Sequence, residues 1–380
     1  MYLNDVAIIG AGVSGLTSAL VLIEKNPSIK ELYILAREIM NDPAHTNLQH
    51  EFTSWAGGAN HMSFASSHDT RQQQFDILTY KKFMKLGREV KESGIRIMKN
   101  KLIISKNSPT PWYIATEACE EVSKISNAEL IFRGLDPSVV KGFEYLTCTV
   151  TPYIYLAFLR AKLEKTGKVK FVKVPESFES FKEVGSFIGK KPDLIVNCTG
   201  LGARKILSTY PCEANEVKNQ ILPYKGQVCV INKDLPFQLT VDCLPSEENV
   251  SNYVKTIKNA YQFSHIFPRS DGYAIVGGIS VPNVYDNLKS DEVSKSIISN
   301  IKQFVPELEA DGVPVKIVFD YVALRPGRKD GVRLEHKKYE GFDVIHNYGI
   351  GGAGYQASFG LAYEVAEIAR NFLVGKKSKL

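Results

Sequence analysis

The chain has 380 residues, 44% hydrophobic and 23% charged, proportions that exclude wholesale disorder and a collagen-like fibre and leave room for two domains. Lys and Arg number 47 against 41 Asp and Glu, a formal charge of +6 that is too weak a bias for a dedicated nucleic-acid binder. Six cysteines stand at 119, 148, 198, 212, 229 and 243 without a Cys-x-x-Cys pair, so neither a disulfide framework nor a zinc spacing is present and a reducing compartment is expected.

Residues 6–23, VAIIGAGVSGLTSALVLI, carry no charge and are long enough for a membrane span. Glycines at 10, 12 and 15, the flanking Asp5 and Glu24, and the β-type opening Val6–Ile9 argue instead for a strand at 5–9, a glycine turn and a buried helix at 13–25. No membrane partner is therefore expected, and the N-terminus lacks the basic region of a secretory signal, so an intracellular protein is expected. A second strand follows at Leu32–Leu35, then a polar, turn-rich stretch to about Asn60. Apolar positions Phe75, Leu78, Phe83, Leu86 and Val90 predict a helix over 71–97, with Lys81, Lys82, Lys85, Arg88 and Lys91 on a solvated face. Strands are expected at 143–150 and 169–174 around a helix at 153–165, and Leu194–Val196 reads as a buried strand running into a glycine turn. From 221 to 281 the pattern becomes antiparallel, with a hairpin turning at Ser270-Asp271-Gly272. A helix at 291–305, a strand near 315–322, the glycines 349, 351, 352 and 354, and a helix at 356–373 complete the chain. Parallel βαβ pieces at the start, middle and end imply one α/β domain assembled from distant segments, with a second sheet domain inserted into it. The terminal Ser378-Lys379-Leu380 has the form of a receptor-read peroxisomal address, so a peroxisomal location is expected.

Gly10-x-Gly12-x-x-Gly15 lies between an apolar strand and an apolar helix. In that setting the first glycine permits a tight turn, the second lets a pyrophosphate approach the backbone, and the third allows close helix–strand packing. The helix N-terminus supplies unpaired N–H groups and positive dipole to the phosphates. Glu38, at the end of the second strand, stands where an acid accepting ribose hydroxyls is expected. The later turns at Asn197–Gly200 and Gly349–Gly354 favour a flavin over a nicotinamide, because a flavin held along its length needs backbone approach from several segments.

The segments VAIIGAGVSGL, ILARE, WAGGAN, VNCTGLGA, PYKGQ, ALRPGRKDGVRLE and HNYGIGGAGYQ, together with the terminal SKL, resemble the D-amino-acid oxidase family, including D-aspartate oxidases, from the first strand to the terminus. The resemblance implies a Rossmann-type FAD-binding domain at 1–62, 145–212 and 325–380, and an α+β substrate domain with a mixed or antiparallel sheet at 63–144 and 213–324. It implies non-covalent FAD and oxidation of a D-amino acid by hydride transfer from Cα, with oxygen as acceptor and a 2-oxo acid, ammonia and hydrogen peroxide as products. Implied cofactor contacts are Gly10, Gly12, Val13, Ser14, Gly15, Arg37, Glu38, Gln49, Ala56, Gly57, Val174, Thr199 and Gly200, and later Gly351, Gly352, Gly354, Tyr355 and Gln356. Arg325 would clamp the substrate carboxylate, since a planar guanidinium pairs with it through two parallel hydrogen bonds. Gly352 and Gln356 would meet the substrate amine, and Asn60 and Phe64 would edge the pocket. Neither a metal nor an acid–base residue is implied. A peroxisomal import receptor is the expected partner for the terminal tripeptide, and a homodimer is the assembly to test.

The chain departs from the family pattern at three places. His265 stands where the family has a carboxylate-binding tyrosine, Ser280 where another active-site side chain is usual, and Lys225 where arginine is usual. A protonated His265 ring would bind the substrate carboxylate more strongly at lower pH; its alternative is an ordinary strand histidine, with Tyr253 or Tyr261 supplying a hydroxyl. A D-aspartate oxidase, with Arg269, Lys225 or His61 holding a second carboxylate, and a catalytically silent flavin-binding relative are the rival readings.

Overall fold

The computed structural model describes residues 3–40, 52–116, 118–243 and 250–377, with backbone alone for 372–377. Gln49 and the terminal Ser378, Lys379 and Leu380 lie outside the described residues. In chain order the strands are β1 (Asp5–Ile9), β2 (Glu31–Ala36), β3 (Ile95–Ser105), β4 (Glu120–Lys124), β5 (Val140–Val150), β6 (Val169–Lys173) and β7 (Leu194–Asn197). They continue as β8 (Ile221–Ile231), β9 (Phe237–Asp242), β10 (Tyr261–Pro268), β11 (Ala274–Pro282), β12 (Ile317–Arg328), β13 (Arg333–Tyr339) and β14 (Phe342–Tyr348).

The first sheet runs β13-β14-β7-β1-β2-β6, parallel except for the edge strand β13, which pairs antiparallel with β14. Its central strands are covered on both faces, which is why β1 and β7 read as unbroken apolar runs rather than alternating ones. Successive strands leave β1 on one side and β7 on the other, so a crevice opens between their carboxyl ends. Two turns floor that crevice: Gly10, at φ +108°, donates its N–H to Leu35 O at 2.8 Å, and Cys198 N donates to Ile9 O at 2.9 Å. A Cβ at Gly15 would lie 1.9 Å from Gly10 O, so the Val13–Lys25 helix is pressed against the turn that precedes it.

The second sheet has the order β12-β8-β11-β10-β9-β3-β5-β4 and is antiparallel except for the β3–β9 pair. The amphipathic helix Asp291–Phe304 covers one face, burying Val293, Ile297 and Ile301 against Ile231, Leu239, Ile266 and Val276. Cross-strand partners share a face, so the row Leu102, Thr240, His265, Gly277, Val228 and Tyr321 lies on the opposite side, turned toward the first sheet's crevice. The architecture is thus the α/β one expected, a Rossmann-type domain of discontinuous segments with an inserted mixed-sheet domain.

Three expectations differ from the structure. The helix expected over 71–97 spans Thr70–Glu89 and is followed by a left-handed Gly94 (φ +70°) and by β3, because IRIMKNKLIIS is a β-type run that pairs along its length with β5. The boundary expected at 145 falls inside β5 and that at 325 inside β12, and both strands belong to the second sheet throughout. The strand expected near 315–322 continues to Arg328, carrying the chain back toward the first sheet.

Where the chain leaves the first sheet for β8 and returns from β12, buried ion pairs fasten the crossing. Arg333 donates from both terminal nitrogens to Glu213 at 2.8 and 3.1 Å, and Tyr339 donates its hydroxyl to the same carboxylate at 2.6 Å. Arg333 and Tyr339 hold the Glu213 carboxyl down at about 2, against the opposing effect of burial. Arg328 pairs with Glu216 in the same two-pronged way. Removing one partner of such a pair leaves a buried charge uncompensated, which typically costs about 3–5 kcal/mol.

Gly15→Ala is expected to destabilise the fold by about 3 kcal/mol or more, since the added methyl meets backbone that cannot move without breaking the turn between β1 and the Val13–Lys25 helix. Thermal unfolding checks this, and an unchanged melting temperature contradicts it.

Candidate active site

Two connected cavities lie between the sheets. The smaller, about 480 Å³, is bounded by the β1 and β7 turns and takes in Gly10, Gly12, Arg37, Glu38, Val174, Thr199 and Gly200. The larger, about 1000 Å³, is floored by the second sheet and takes in Val13, Ala56, Gly57, Asn60, Phe64 and Ser280, then His265, Arg325, Gly351, Gly352, Gly354, Tyr355 and Gln356. Ser14, Ser54, Ala323, Pro326 and Ile350 line both, so the two form one groove. The structure therefore brings together the site residues expected from the sequence, except Gln49, which lies outside the described residues, and Gly15, whose place is in helix packing.

Arg325 stands on β12 directly opposite Tyr224 of β8. Its guanidinium lies across Gly226, where a Cβ would come within 2.6 Å of Nη1, and Nη1 donates to Ile279 O on β11 at 3.1 Å. Among the described residues it has no carboxylate partner, and loss of water pushes its pKa down to about 10. A desolvated cation with a single carbonyl partner is an anion site in search of an anion.

His265 lines the same cavity and stacks on Phe267, ring centroids 4.2 Å apart and planes at 8°. Burial, reinforced by the neighbouring Arg325 charge, lowers its pKa to about 3, so the ring is neutral near pH 7. This corrects the expectation of a protonated histidine beside the carboxylate: two cations would compete for one desolvated space. Tyr253 and Tyr261 do not line either cavity. Tyr113, Tyr224, Tyr321 and Tyr355 line the larger one; of these, Tyr224 stands on β8 opposite Arg325 and Tyr321 on β12 itself, and the Pro223-Tyr224 pair in the PYKGQ segment was the signal for Tyr224.

The proposed distal cations are also placed elsewhere. Lys225 is buried in an ion pair with Asp286 at 2.6 Å, and Arg269 pairs with Asp271 at 2.5 Å. His61 faces the backbone carbonyl of Asp76 at 3.0 Å, and burial lowers its pKa to about 4. None of the three lines the groove.

One buried group escaped sequence reasoning. Asp76 sits in the Thr70–Glu89 helix among Phe75, Thr79, Tyr80 and Phe83, a carboxylate on an otherwise apolar stripe, and that position was its only signal. It accepts from Ser63 Oγ at 2.5 Å, Gln72 Nε2 at 2.7 Å and Gln356 Nε2 at 3.2 Å. Burial raises its pKa to about 7 against those three bonds. Asp76 thereby fixes the Gln356 amide at the cavity wall.

Residues 5–368 match the FAD dependent oxidoreductase family. The chain belongs to this family. It is 28% identical over 398 residues to a D-amino-acid oxidase of Fusarium vanettenii, covering 99% of each chain. It is 25% identical to a D-aspartate oxidase of Cryptococcus neoformans var. grubii, covering 96% of each. A solved glycine oxidase from Geobacillus kaustophilus shares the fold with a TM-score of 0.67 at 17% identity, over 98% of this chain and 95% of that one.

The groove fits the family's FAD. A Cβ at Gly351, where φ is +64°, would meet nothing within 4 Å and would project into the groove, so the backbone there is open to a ligand. The buried Asn60 Nδ2, also on the wall, has no hydrogen-bond partner among the described residues. At the other end, Gly12 and Ser14, at the start of the Val13–Lys25 helix, line the small cavity; Val13 N donates to Ser54 Oγ at 3.1 Å, a side-chain partner that a phosphate oxygen can replace. FAD would be held at its pyrophosphate by the Gly10 and Gly12 turn and at its adenosine end by Arg37 and Glu38, and the larger cavity would take its ring system, where it would supply a two-electron acceptor.

Gly12→Val should leave the fold intact but abolish FAD retention. The nearest atom to a Cβ there is Ser54 Oγ at 3.1 Å, a movable side chain, whereas the added bulk fills the phosphate approach. Flavin absorbance per folded protein measures it, and wild-type content contradicts the assignment. For His265 the pH dependence expected from the sequence disappears. A ring with a pKa near 3 carries no charge to lose between pH 6 and 8.5, so carboxylate affinity in the wild type and in His265→Tyr should follow the same pH profile. A wild-type affinity that falls through pH 6.5–8 only when His265 is present contradicts the neutral ring.

Proposed function

We propose that the protein is a D-amino-acid oxidase, taking a D-amino acid and oxygen to a 2-oxo acid, ammonia and hydrogen peroxide. The observation that carries this reading is Arg325: a cation on the wall of the flavin cavity, desolvated and without a carboxylate partner among the described residues. The names of the fungal relatives support the substrate class.

Bound in the groove, FAD supplies the two-electron acceptor for the substrate Cα–H bond and passes the electrons to oxygen. The chain's own residues bind and orient. Arg325 holds the carboxylate through two parallel hydrogen bonds, which fixes two points of the substrate plane. Tyr224, its cross-strand neighbour on the same cavity wall, stands in reach as the hydroxyl that His265 lacks. The Gly352 carbonyl accepts from the amine, and the Gln356 amide, held by Asp76, closes that side. A neutral amine lone pair drives the oxidation, so positioning rather than a general base accounts for catalysis, and water then hydrolyses the imine. The absence of Lys225, Arg269 and His61 from the groove argues against a second carboxylate in the substrate, and so against the D-aspartate oxidase reading. The terminal Ser-Lys-Leu supports delivery to the peroxisomal matrix by an import receptor.

The purified holoenzyme should release peroxide with D- but not L-amino acids. Arg325→Ala should keep its flavin and lose about 30-fold to several thousand-fold in kcat/KM, the effect of about 2–5 kcal/mol from breaking a desolvated charge pair. An unaltered KM for the best substrate removes Arg325 from the carboxylate site.

A further inference from the structure

Among the described residues lining the large cavity, two side chains end in a carboxylate or a guanidinium group. Arg325 is one and Asp242 is the other. Asp242 ends β9 and faces the same side as Thr240, whose cross-strand partners Leu102 and His265 also line the cavity, as does Ile104, the partner of Asp242 itself. Its carboxylate has neither a hydrogen bond nor an ion pair among the described residues, and partial loss of water to its surroundings raises its pKa although the residue keeps access to solvent. Other acids close to the second sheet found cations: Asp286 has Lys225 and Asp271 has Arg269. Leu102, Tyr113 and Phe263 make the surrounding wall apolar or aromatic.

The spacing gives this acid a role. The Arg325 guanidinium reaches from β12 over β8 to bond Ile279 O on β11. From β11 across β10 to β9 is two strand spacings, roughly 10 Å at about 4.8 Å each. A substrate clamped by its carboxylate at Arg325 would therefore direct a long side chain toward Asp242 along an apolar wall. Building on the D-amino-acid reading, we infer that the preferred substrates are D-amino acids whose side chains end in a cation, an amine or a guanidine, received by Asp242. The apolar wall accommodates the methylene stem of such a side chain and the carboxylate its charged end. An acidic side chain meets like charge at the same place. Asp242 is solvent-exposed, so the pair is screened and the preference is moderate and salt-sensitive.

The test compares kcat/KM of the flavin-loaded enzyme for D-lysine, D-norleucine and D-aspartate at low ionic strength. D-Norleucine keeps the lysine stem without its charge. The expected result is D-lysine over D-norleucine by about two- to fivefold, with D-aspartate poorest. In Asp242→Asn the D-lysine to D-norleucine ratio falls toward one, and in Asp242→Arg D-aspartate overtakes D-lysine, with flavin content reporting that each variant is folded. A wild-type preference for D-norleucine, or a ratio unmoved in Asp242→Asn, overturns the role of Asp242 while leaving the D-amino-acid reading standing. A flavin-loaded enzyme inert to every D-amino acid overturns that reading and this inference with it.

Discussion

A guanidinium removed from water and given no carboxylate is unfavourable for any fold, and the architecture around Arg325 is what makes it tolerable. Strand geometry sets its position. β12 pairs with β8 along its full length, Gly226 leaves the flat space in which the guanidinium lies, and one backbone carbonyl, Ile279 O, takes one of its five N–H groups. The remaining donors face a cavity whose described walls offer one carboxylate, and that carboxylate lies on a strand two places beyond the carbonyl that Arg325 bonds. The desolvation that lowers the arginine's pKa also makes the site hold an anion tightly when one arrives.

The same strand ties this anion site to the cofactor groove. Ala323 and Pro326, on either side of Arg325, line both cavities, so the substrate clamp and the cofactor cradle share a rigid element. The ion pairs Arg328–Glu216 and Arg333–Glu213 then lock the return of that strand into the first sheet. Orientation of the substrate Cα relative to the flavin ring is thereby set by sheet registry rather than by a loop, which suits a reaction whose catalysis is positional.

Much of this was legible from residues alone, where local signals were strong. The strand–glycine–helix start carries its own conformation in Gly10 and Gly15, and the β10–β11 hairpin carries alternation and a turn at Asp271-Gly272. The rest depended on partners distant in sequence. β3 reads as helix until β5 and β9 are known to flank it, and β13 (RLEHKKY) has no apolar run because it is an edge strand held by ion pairs. Asp76 looks like one surface carboxylate among many until Ser63 and Gln356 close on it. His265 has a residue type that titrates near neutrality, and only the Arg325 charge and the loss of water remove it from that range. Asp242 gained meaning from the face of β9 it occupies, which pairing with β3 and β10 decides.

The most direct measurement of the central claim is a crystal structure of the FAD-loaded protein with a 2-oxo acid bound. The account predicts both carboxylate oxygens on Arg325 at about 2.7–2.9 Å, the range of charge-assisted hydrogen bonds, with the rest of the ligand between the flavin ring and the β9–β10 wall. A carboxylate bound to another cation, with Arg325 still bonded only to Ile279 O, would contradict it.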